Sequence, residues 1–93
     1  MARQTFRITV TGRVQGVGFR AFVRRTAEQL RLEGWVRNRS DGSVEILVIG
    51  DPELIDKLIE ACNAGPPLAK PDEITVSGAA DDGSKGFSET QTT

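Results

Sequence analysis

The first part of the chain alternates between apolar and polar residues, from residue 5 to residue 11. Successive side chains of an extended strand point to opposite faces, so the alternation predicts a half-buried strand with three apolar residues on one side: Phe6, Ile8 and Val10. A glycine-rich loop follows. From Arg20 to about Arg31, apolar residues recur at spacings of three and four, which is typical of one face of a helix: Val23, Ala27 and Leu30.

Two further strand-like segments flank Asp41-Gly42, a pair that favours a tight hairpin turn. Next, Asp51-Pro52-Glu53 supplies an N-cap, a proline at the first helical position and an acid in the first turn. We therefore predict a second helix, which Gly65-Pro66-Pro67 ends. Its apolar stripe consists of Leu54, Ile55, Leu58, Ile59 and Cys62.

Alternation returns in residues 74–78 and predicts a fourth strand. Beyond it, residues 81–93 form a polar tail in which only Phe87 could anchor the chain. The order strand, helix, strand, strand, helix, strand corresponds to two split βαβ units. The pattern predicts one α+β domain over residues 1–93, with a core from about residue 5 to 80. Its fold would be a ferredoxin-like βαββαβ sandwich, with both helices on one face of a four-stranded antiparallel sheet.

Composition and charge narrow the chemistry. The chain has 12 basic and 13 acidic residues and a net charge of −1, so it has no overall field that would attract nucleic acid. It has no histidine and a single cysteine, Cys62, which excludes a histidine-assisted nucleophile, an internal disulfide and a cysteine-rich metal site. No segment resembles a signal peptide or the ~20 apolar residues of a membrane span. We expect a cytoplasmic protein with no nucleic-acid or membrane partner, and five solvated arginines: Arg7, Arg24, Arg25, Arg37 and Arg39.

The loop GRVQGVGFR, at residues 12–20, joins the first strand to the first helix. Its glycines allow backbone N–H groups to close around an anion at the positive end of the helix dipole. Arg20 in the first helical turn opposes that dipole at a cost of roughly 0.3–1 kcal/mol, which a bound anion would offset. Alternatively, Arg20 pairs with a neighbouring carboxylate and the glycines merely turn the chain.

The same loop also fits the dinucleotide-binding pattern G-x-G-x-x-A, from Gly16 to Ala21. That interpretation is excluded because the next two strands form an antiparallel hairpin, whereas a dinucleotide-binding fold needs a parallel sheet and a longer chain. A Walker A loop is excluded too, since no Gly-Lys-Ser/Thr follows the glycines.

Asn38 is a second candidate residue. Alternation along the second strand places it on the same face as Val36, toward the helices. A neutral amide there could hold a water molecule, since it offers both a donor and an acceptor, or it could satisfy the backbone of the hairpin turn. Both interpretations remain open from the residues alone.

Four segments together resemble the acylphosphatase family: GRVQGVGFR at residues 12–20, GWVRN at 34–38, DGSVE at 41–45 and GPPLA at 65–69. The resemblance implies the ferredoxin-like fold and hydrolysis of a carboxyl–phosphate bond to a carboxylate and orthophosphate, with no metal and no cofactor. By the same likeness, Arg20 would bind the phosphate and Asn38 would orient the attacking water. The loop amides would complete the phosphate cradle: Gln15, Gly16, Val17, Gly18 and Phe19.

On this interpretation the partners are small acyl phosphates as substrates, with inorganic phosphate as product and competitive inhibitor, and we expect a monomer. The chain departs from the family at Arg31, where glycine is usual, and in its polar C-terminal segment, where an apolar closing strand is usual. The alternative is a ferredoxin-like binding module or regulatory domain without catalysis. RNA recognition by such a module needs aromatic residues on the central strands, and residues 43–50 contain none.

Overall fold

Seven elements follow one another along residues 3–93, the part of the chain that the computed structural model describes. The strands are β1 (Gln4–Arg13), β2 (Glu33–Asn38), β3 (Val44–Gly50), β4 (Lys70–Gly78) and β5 (Phe87–Glu89), and the helices are α1 (Phe19–Gln29) and α2 (Pro52–Ala64). The sheet order is β4-β1-β3-β2-β5. The first six elements confirm the predicted ferredoxin-like βαββαβ order, and β1 to β4 pair antiparallel.

The sheet has a fifth strand, so the predicted four-stranded antiparallel sheet is corrected to a five-stranded mixed one. β5 runs parallel to β2, with Phe87 opposite Gly34. The Gly34 N–H donates to the Gly86 carbonyl at 3.0 Å, and the Thr90 N–H donates to the Val36 carbonyl at 2.8 Å. A strand of 3 residues is too short to show a hydrophobic period. It is held instead by these backbone hydrogen bonds and by burial of the Phe87 ring, which is 7% exposed.

The core lies between one face of the sheet and the two helices. Its largest buried side chains come from β1, β3 and both helices: Ile8, Ile46, Phe19, Val23, Ile55 and Leu58. Burying a side chain of this size stabilises the fold by about 1.5–3 kcal/mol, which fixes the helices on the sheet. Cys62 belongs to the same core, and burial raises the pKa of its thiol to about 12. Neither helix of the described chain has the length and apolar character needed to cross a bilayer.

The second helix begins and ends at the residues that the sequence indicates. The Asp51 carboxylate accepts a hydrogen bond from the Glu53 N–H at 2.9 Å, and Pro52 is the first helical residue. At the other end, Gly65 adopts a positive φ of 67°, and its N–H donates to the Ala61 carbonyl at 2.8 Å. Local capping signals therefore set both ends of α2.

The hairpin between β2 and β3 has a three-residue loop rather than a two-residue turn at Asp41-Gly42. The Arg39 N–H donates to the Ser43 carbonyl at 2.8 Å, and the Gly42 N–H donates to the Arg39 carbonyl at 3.1 Å. Gly42 alone in this loop has a positive φ, 95°, which is the geometry of a turn followed by a bulge. The Ser43 hydroxyl and N–H donate to the Asp41 carboxylate at 2.6 and 2.9 Å, and these bonds lower the pKa of Asp41. The hairpin thereby fixes the end of β2.

The sheet face opposite the helices carries a charge cluster where solvated arginines were expected. The Glu45 side chain, on β3, is only 3% exposed, and its carboxylate oxygens lie 3.0 Å from Arg7 Nε, 2.8 Å from Arg37 Nη2 and 3.8 Å from Arg39 Nη1. The Arg37 guanidinium also stacks on Trp35, with its Cζ 4.6 Å from the ring centroid. These three arginines stay partly exposed to solvent, as expected, but they also surround one buried carboxylate, which the sequence did not indicate.

Candidate active site

A pocket of about 160 Å³ opens where the end of β2, the N-terminus of α1 and the end of β5 meet. Its volume is many times the space that one water molecule needs. The residues of its wall that bear on chemistry are Gly16, Gly18, Phe19, Arg20, Asn38 and Glu89. Within residues 3–93, no three acidic or cysteine side chains gather closely enough to hold a metal ion.

The glycine loop presents the start of α1 to this pocket. Gly16 and Gly18 have φ values of 72° and 79°, a left-handed conformation that favours glycine. Gly18 is the N-cap, no side chain from the described part of the chain caps this helix, and the first intrahelical bond runs from the Phe22 N–H to the Gly18 carbonyl at 3.1 Å. The N–H groups before Phe22 have no carbonyl one turn back to bind. The positive end of the helix dipole is therefore open toward the pocket.

Two residues of the predicted cradle lie beside the pocket rather than in its wall. Gln15 Nε2 donates to the carbonyls of Arg39 and Ser43, at 2.8 Å in each case, so its side chain ties the glycine loop to the hairpin. Val17 packs against the hydrophobic core. The loop is thus held on one side by β-hairpin backbone and on the other by apolar contact.

Arg20 reaches into the pocket from the first turn of α1. Its Nη1 donates to the Thr90 carbonyl at 3.3 Å, a long hydrogen bond. Among residues 3–93, Arg20 forms no ion pair with any carboxylate. The alternative in which Arg20 pairs with a neighbouring carboxylate is therefore not what the described chain adopts. Its guanidinium, most of whose N–H donors have no partner within residues 3–93, faces the space next to the helix N-terminus.

Asn38 approaches the pocket from the opposite side, at the last position of β2. It shares a face with Val36, which is fully buried, as the alternation predicts. Its Oδ1 atom is buried and accepts no hydrogen bond from residues 3–93. A buried acceptor left without a donor costs roughly 1–3 kcal/mol, so this oxygen needs a water or ligand donor in the pocket. The amide does not satisfy the hairpin backbone through this atom.

Glu89 places a carboxylate in the pocket wall. Its Oε2 accepts a hydrogen bond from Arg24 Nε at 2.9 Å, and Arg24 Nη1 donates to Glu28 at 2.9 Å. The hydrogen bond to Glu89 and the nearby charge of Glu28 raise the pKa of Arg24. Arg24 is therefore ion-paired on both sides, although its side chain stays partly solvated at the surface.

The comparisons with known proteins agree on one assignment. The sequence profile of the acylphosphatase family matches residues 6–89. The chain belongs to the acylphosphatase family. It is 51% identical over 75 residues to an acylphosphatase of Rhodopseudomonas palustris (strain BisB5), a match that covers 81% of this chain and 76% of that protein.

Solved structures agree with this assignment. The structure matches the crystal structure of acylphosphatase from Bacillus subtilis with a TM-score of 0.89 and 44% identity, covering 92% of this chain and 97% of that one. It also matches full-length HypF in its phosphate- and nucleotide-bound form, with a TM-score of 0.91 and 33% identity, covering 98% of this chain but 12% of that one. Acylphosphatases hydrolyse acyl phosphates, so the chain is a hydrolase that acts on small acyl phosphates.

Sequence reasoning missed two contributions to the acylphosphatase pocket. Glu89 and the Thr90 carbonyl come from the polar C-terminal segment, where no periodic pattern marks a strand. The one available signal was Phe87, a lone aromatic residue that indicated an anchor nearby. An acid two residues after such an anchor gives no indication of which way its side chain points.

Proposed function

We propose that Arg20 and Asn38 are the catalytic residues of this acylphosphatase, with the glycine loop as the phosphate cradle. The observation that supports this most directly is the pairing of two unsatisfied groups in one pocket. The Arg20 guanidinium has no carboxylate partner among residues 3–93, and the buried Asn38 Oδ1 has no donor there. The guanidinium needs an anion, and the amide oxygen needs a hydrogen-bond donor such as water.

In this mechanism the guanidinium and the loop N–H groups bind the phosphoryl oxygens. A guanidinium presents two parallel N–H donors to such an oxygen pair, and the first-turn amides of α1 add donors at the positive end of the helix dipole. These charges are fixed before the reaction, so they stabilise the transition state without having to reorganise. Phosphoryl transfer needs little more than this positioning and charge stabilisation.

Water then attacks the phosphorus in line with the leaving carboxylate. The water donates one hydrogen bond to Asn38 Oδ1, which directs its lone pair at the phosphorus. A new P–O bond forms as the bond between phosphorus and the acyl oxygen breaks. The leaving group is the conjugate base of an acid with a pKa of about 4, so it departs without a general acid. The water proton passes to a phosphoryl oxygen, whose pKa is about 6, and no histidine is needed.

Substitution of the two residues separates binding from turnover. Arg20→Lys keeps the charge but loses the two-pronged geometry, so we expect kcat/KM to fall by about 10²–10³-fold and phosphate affinity to weaken. Asn38→Ala should lower kcat by about 10²-fold with a small change in KM, because it removes only the water's orientation. Steady-state kinetics with benzoyl phosphate measure both. Arg25→Lys, exposed on the same helix, is the matched control.

Two outcomes would contradict the assignment. Wild-type turnover in Asn38→Ala would remove the proposed role of the amide, and wild-type kcat/KM in Arg20→Lys would remove that of the guanidinium. Competitive inhibition by inorganic phosphate should persist in Asn38→Ala and weaken in Arg20→Lys.

We also propose that the protein acts as a cytoplasmic monomer. Size-exclusion chromatography with light scattering checks the oligomeric state. Phosphate binding without turnover of any acyl phosphate would favour the alternative of a regulatory domain.

A further inference from the structure

We propose that Arg24 is a positioning residue that holds the Glu89 carboxylate away from Arg20 and so keeps the Arg20 guanidinium available for the phosphoryl group. This role presupposes the phosphate site proposed above for Arg20. It adds a second arginine that never touches the substrate.

The geometry of α1 brings the two arginines together. Arg20 and Arg24 are four residues apart, so they lie one above the other on the same helix face. Glu89, at the end of β5, lines the same pocket as Arg20. Among the described residues it is the one acidic side chain in that pocket wall, so it is the carboxylate that can approach Arg20 as well as Arg24. It pairs with Arg24, at 2.9 Å from Nε, whereas within residues 3–93 Arg20 bonds only to the Thr90 carbonyl.

Arg24 is itself held in position by a second acid. Its Nη1 lies 2.9 Å from Glu28, one turn further along α1, while its Nε binds Glu89. The arginine therefore lies between two carboxylates, one on α1 and one on β5. Their side chains are 32–50% exposed, so both ion pairs are accessible to solvent.

Removing Arg24 would therefore change the pocket electrostatically. Glu89 would lose its cation and face Arg20, where it would compete with the phosphoryl group for the same N–H donors. Removing Arg24 would also leave the negative charge of Glu89 uncompensated next to a bound dianion, and close like charges repel. Both effects weaken anion binding, and both require Glu89 to be present. The consequence is a testable coupling between two residues on different elements.

A double-mutant cycle measures this coupling. Phosphate affinity is determined by isothermal titration calorimetry for wild type, Arg24→Gln, Glu89→Gln and the double variant. Arg24→Gln should weaken phosphate binding by about tenfold, a change typical of losing one charge contact near a binding site. Glu89→Gln should tighten it by about two- to threefold, since a negative charge leaves the pocket wall. Adding Arg24→Gln to Glu89→Gln should then change the affinity by less than about twofold.

Kinetics and controls separate this role from a purely structural one. With benzoyl phosphate, Arg24→Gln should raise KM and leave kcat within about twofold, because the water-orienting amide is untouched. Arg25→Gln removes the same charge from an exposed neighbouring position and should leave phosphate affinity within about twofold of wild type. Urea unfolding of each variant confirms that the comparison is between folded proteins.

The possible failures are distinguishable. If Arg24→Gln weakens phosphate binding equally in the wild-type and Glu89→Gln backgrounds, Arg24 does not act through Glu89 and the inference is overturned. If Arg24→Gln has wild-type affinity while Arg20→Lys loses it, the inference alone fails. If Arg20→Lys retains wild-type phosphate affinity, the proposed phosphate site itself fails.

Discussion

At the scale of single residues, Arg31 holds an unusual backbone conformation just after α1. Its φ is 58°, and it is the one non-glycine residue with a positive φ among residues 3–93. The Arg31 N–H donates to the Glu28 carbonyl at 3.0 Å and the Leu32 N–H donates to the Ala27 carbonyl at 2.9 Å. This pair of bonds is the Schellman motif, whose left-handed position usually carries glycine. An arginine there places its Cβ close to its own carbonyl and strains the helix end.

Arg31→Gly should therefore stabilise the protein. The left-handed conformation costs an L-residue roughly 1–2 kcal/mol, and glycine loses about 0.5–1 kcal/mol more backbone entropy on folding. The expected net gain in unfolding free energy is about 0.5–1 kcal/mol, measured by urea denaturation. Arg31→Ala is the control, because it removes the charge but keeps the Cβ, and it should bring no such gain. A loss of stability in Arg31→Gly would mean that the arginine side chain makes a contact that outweighs the strain.

Some residues of the site were predictable because each breaks a local rule. Arg20 is a cation at the positive end of a helix, and Asn38 is an amide on an otherwise apolar face, so both stand out in the printed sequence. Glu89 breaks no rule, since an acid in a polar segment is ordinary. Its position in the pocket depends on pairing with a strand that lies about fifty residues earlier, and no local signal encodes that contact.

At the scale of elements, Glu45 links β3 to the strands on both sides. It lies directly opposite Thr9 on β1 and Arg37 on β2. Arginines from β1, β2 and the hairpin loop surround its carboxylate, so one buried acid serves three guanidiniums: Arg7, Arg37 and Arg39. Removing the acid leaves three like charges close together, whereas removing one arginine leaves the acid still paired.

The cluster predicts an asymmetry between its members. Glu45→Ala should lower the unfolding free energy by about 2–4 kcal/mol, because it leaves three guanidiniums without their carboxylate and leaves a cavity at a buried position. Arg7→Ala should cost only about 0–1 kcal/mol, since Arg7 is half exposed and Glu45 keeps two partners. Urea denaturation at low and at moderate salt checks both values. Equal losses of unfolding free energy in the two variants would show that Arg7 alone accounts for the stabilising effect of Glu45.

The ends of the elements were predictable to different degrees. Asp51 and Gly65 cap α2 through contacts with their own neighbours in sequence, so the printed sequence contains the whole cause. At the hairpin, Asp41-Gly42 located the turn but not its type. The three-residue loop depends on Ser43 binding back to Asp41 and Arg39, and several loop lengths suit the same dipeptide. The turn type is decided by hydrogen bonds within the loop, and the pattern of residues does not show which of these bonds will form.

At the scale of the whole molecule, the C-terminal segment joins the sheet and completes the pocket wall. The order of the first six elements followed from periodicity, because each helix or strand shows a recognisable apolar spacing, although the residues that carry it in β4 stay partly or largely exposed: Ile74 and Val76. β5 could not be found in that way, since it joins residues 87–89 to residues 34–36 through backbone bonds. Beyond it, the Thr93 N–H donates to the Asn38 carbonyl at 3.1 Å. The segment expected to be a polar tail therefore contacts both proposed catalytic residues, Asn38 here and Arg20 through Thr90.

Phe87 connects the stability of the molecule to the proposed phosphate site. The ring is buried in the core, and the chain runs from it to Glu89 at the end of β5 and then to Thr90, which binds Arg20. We expect Phe87→Ala to lower the unfolding free energy by about 2–4 kcal/mol, the range for truncating a large buried side chain near the edge of a core. Once its anchor is lost, β5 should detach more often, so phosphate affinity should fall by more than about threefold even where the rest of the protein stays folded.

Ser88→Ala is the matched control for this coupling, because Ser88 is exposed on the same short strand and should change neither quantity. Urea denaturation gives the stability, and calorimetric titration with inorganic phosphate gives the affinity at a temperature where both variants are folded. If Phe87→Ala loses stability but binds phosphate as tightly as wild type, β5 contributes to the stability of the fold and not to phosphate binding. In that case the pocket geometry would depend on α1 and β2 without it. A joint loss would show that the C-terminal strand holds the pocket wall in place, because the substituted ring lies in the core and does not line the pocket.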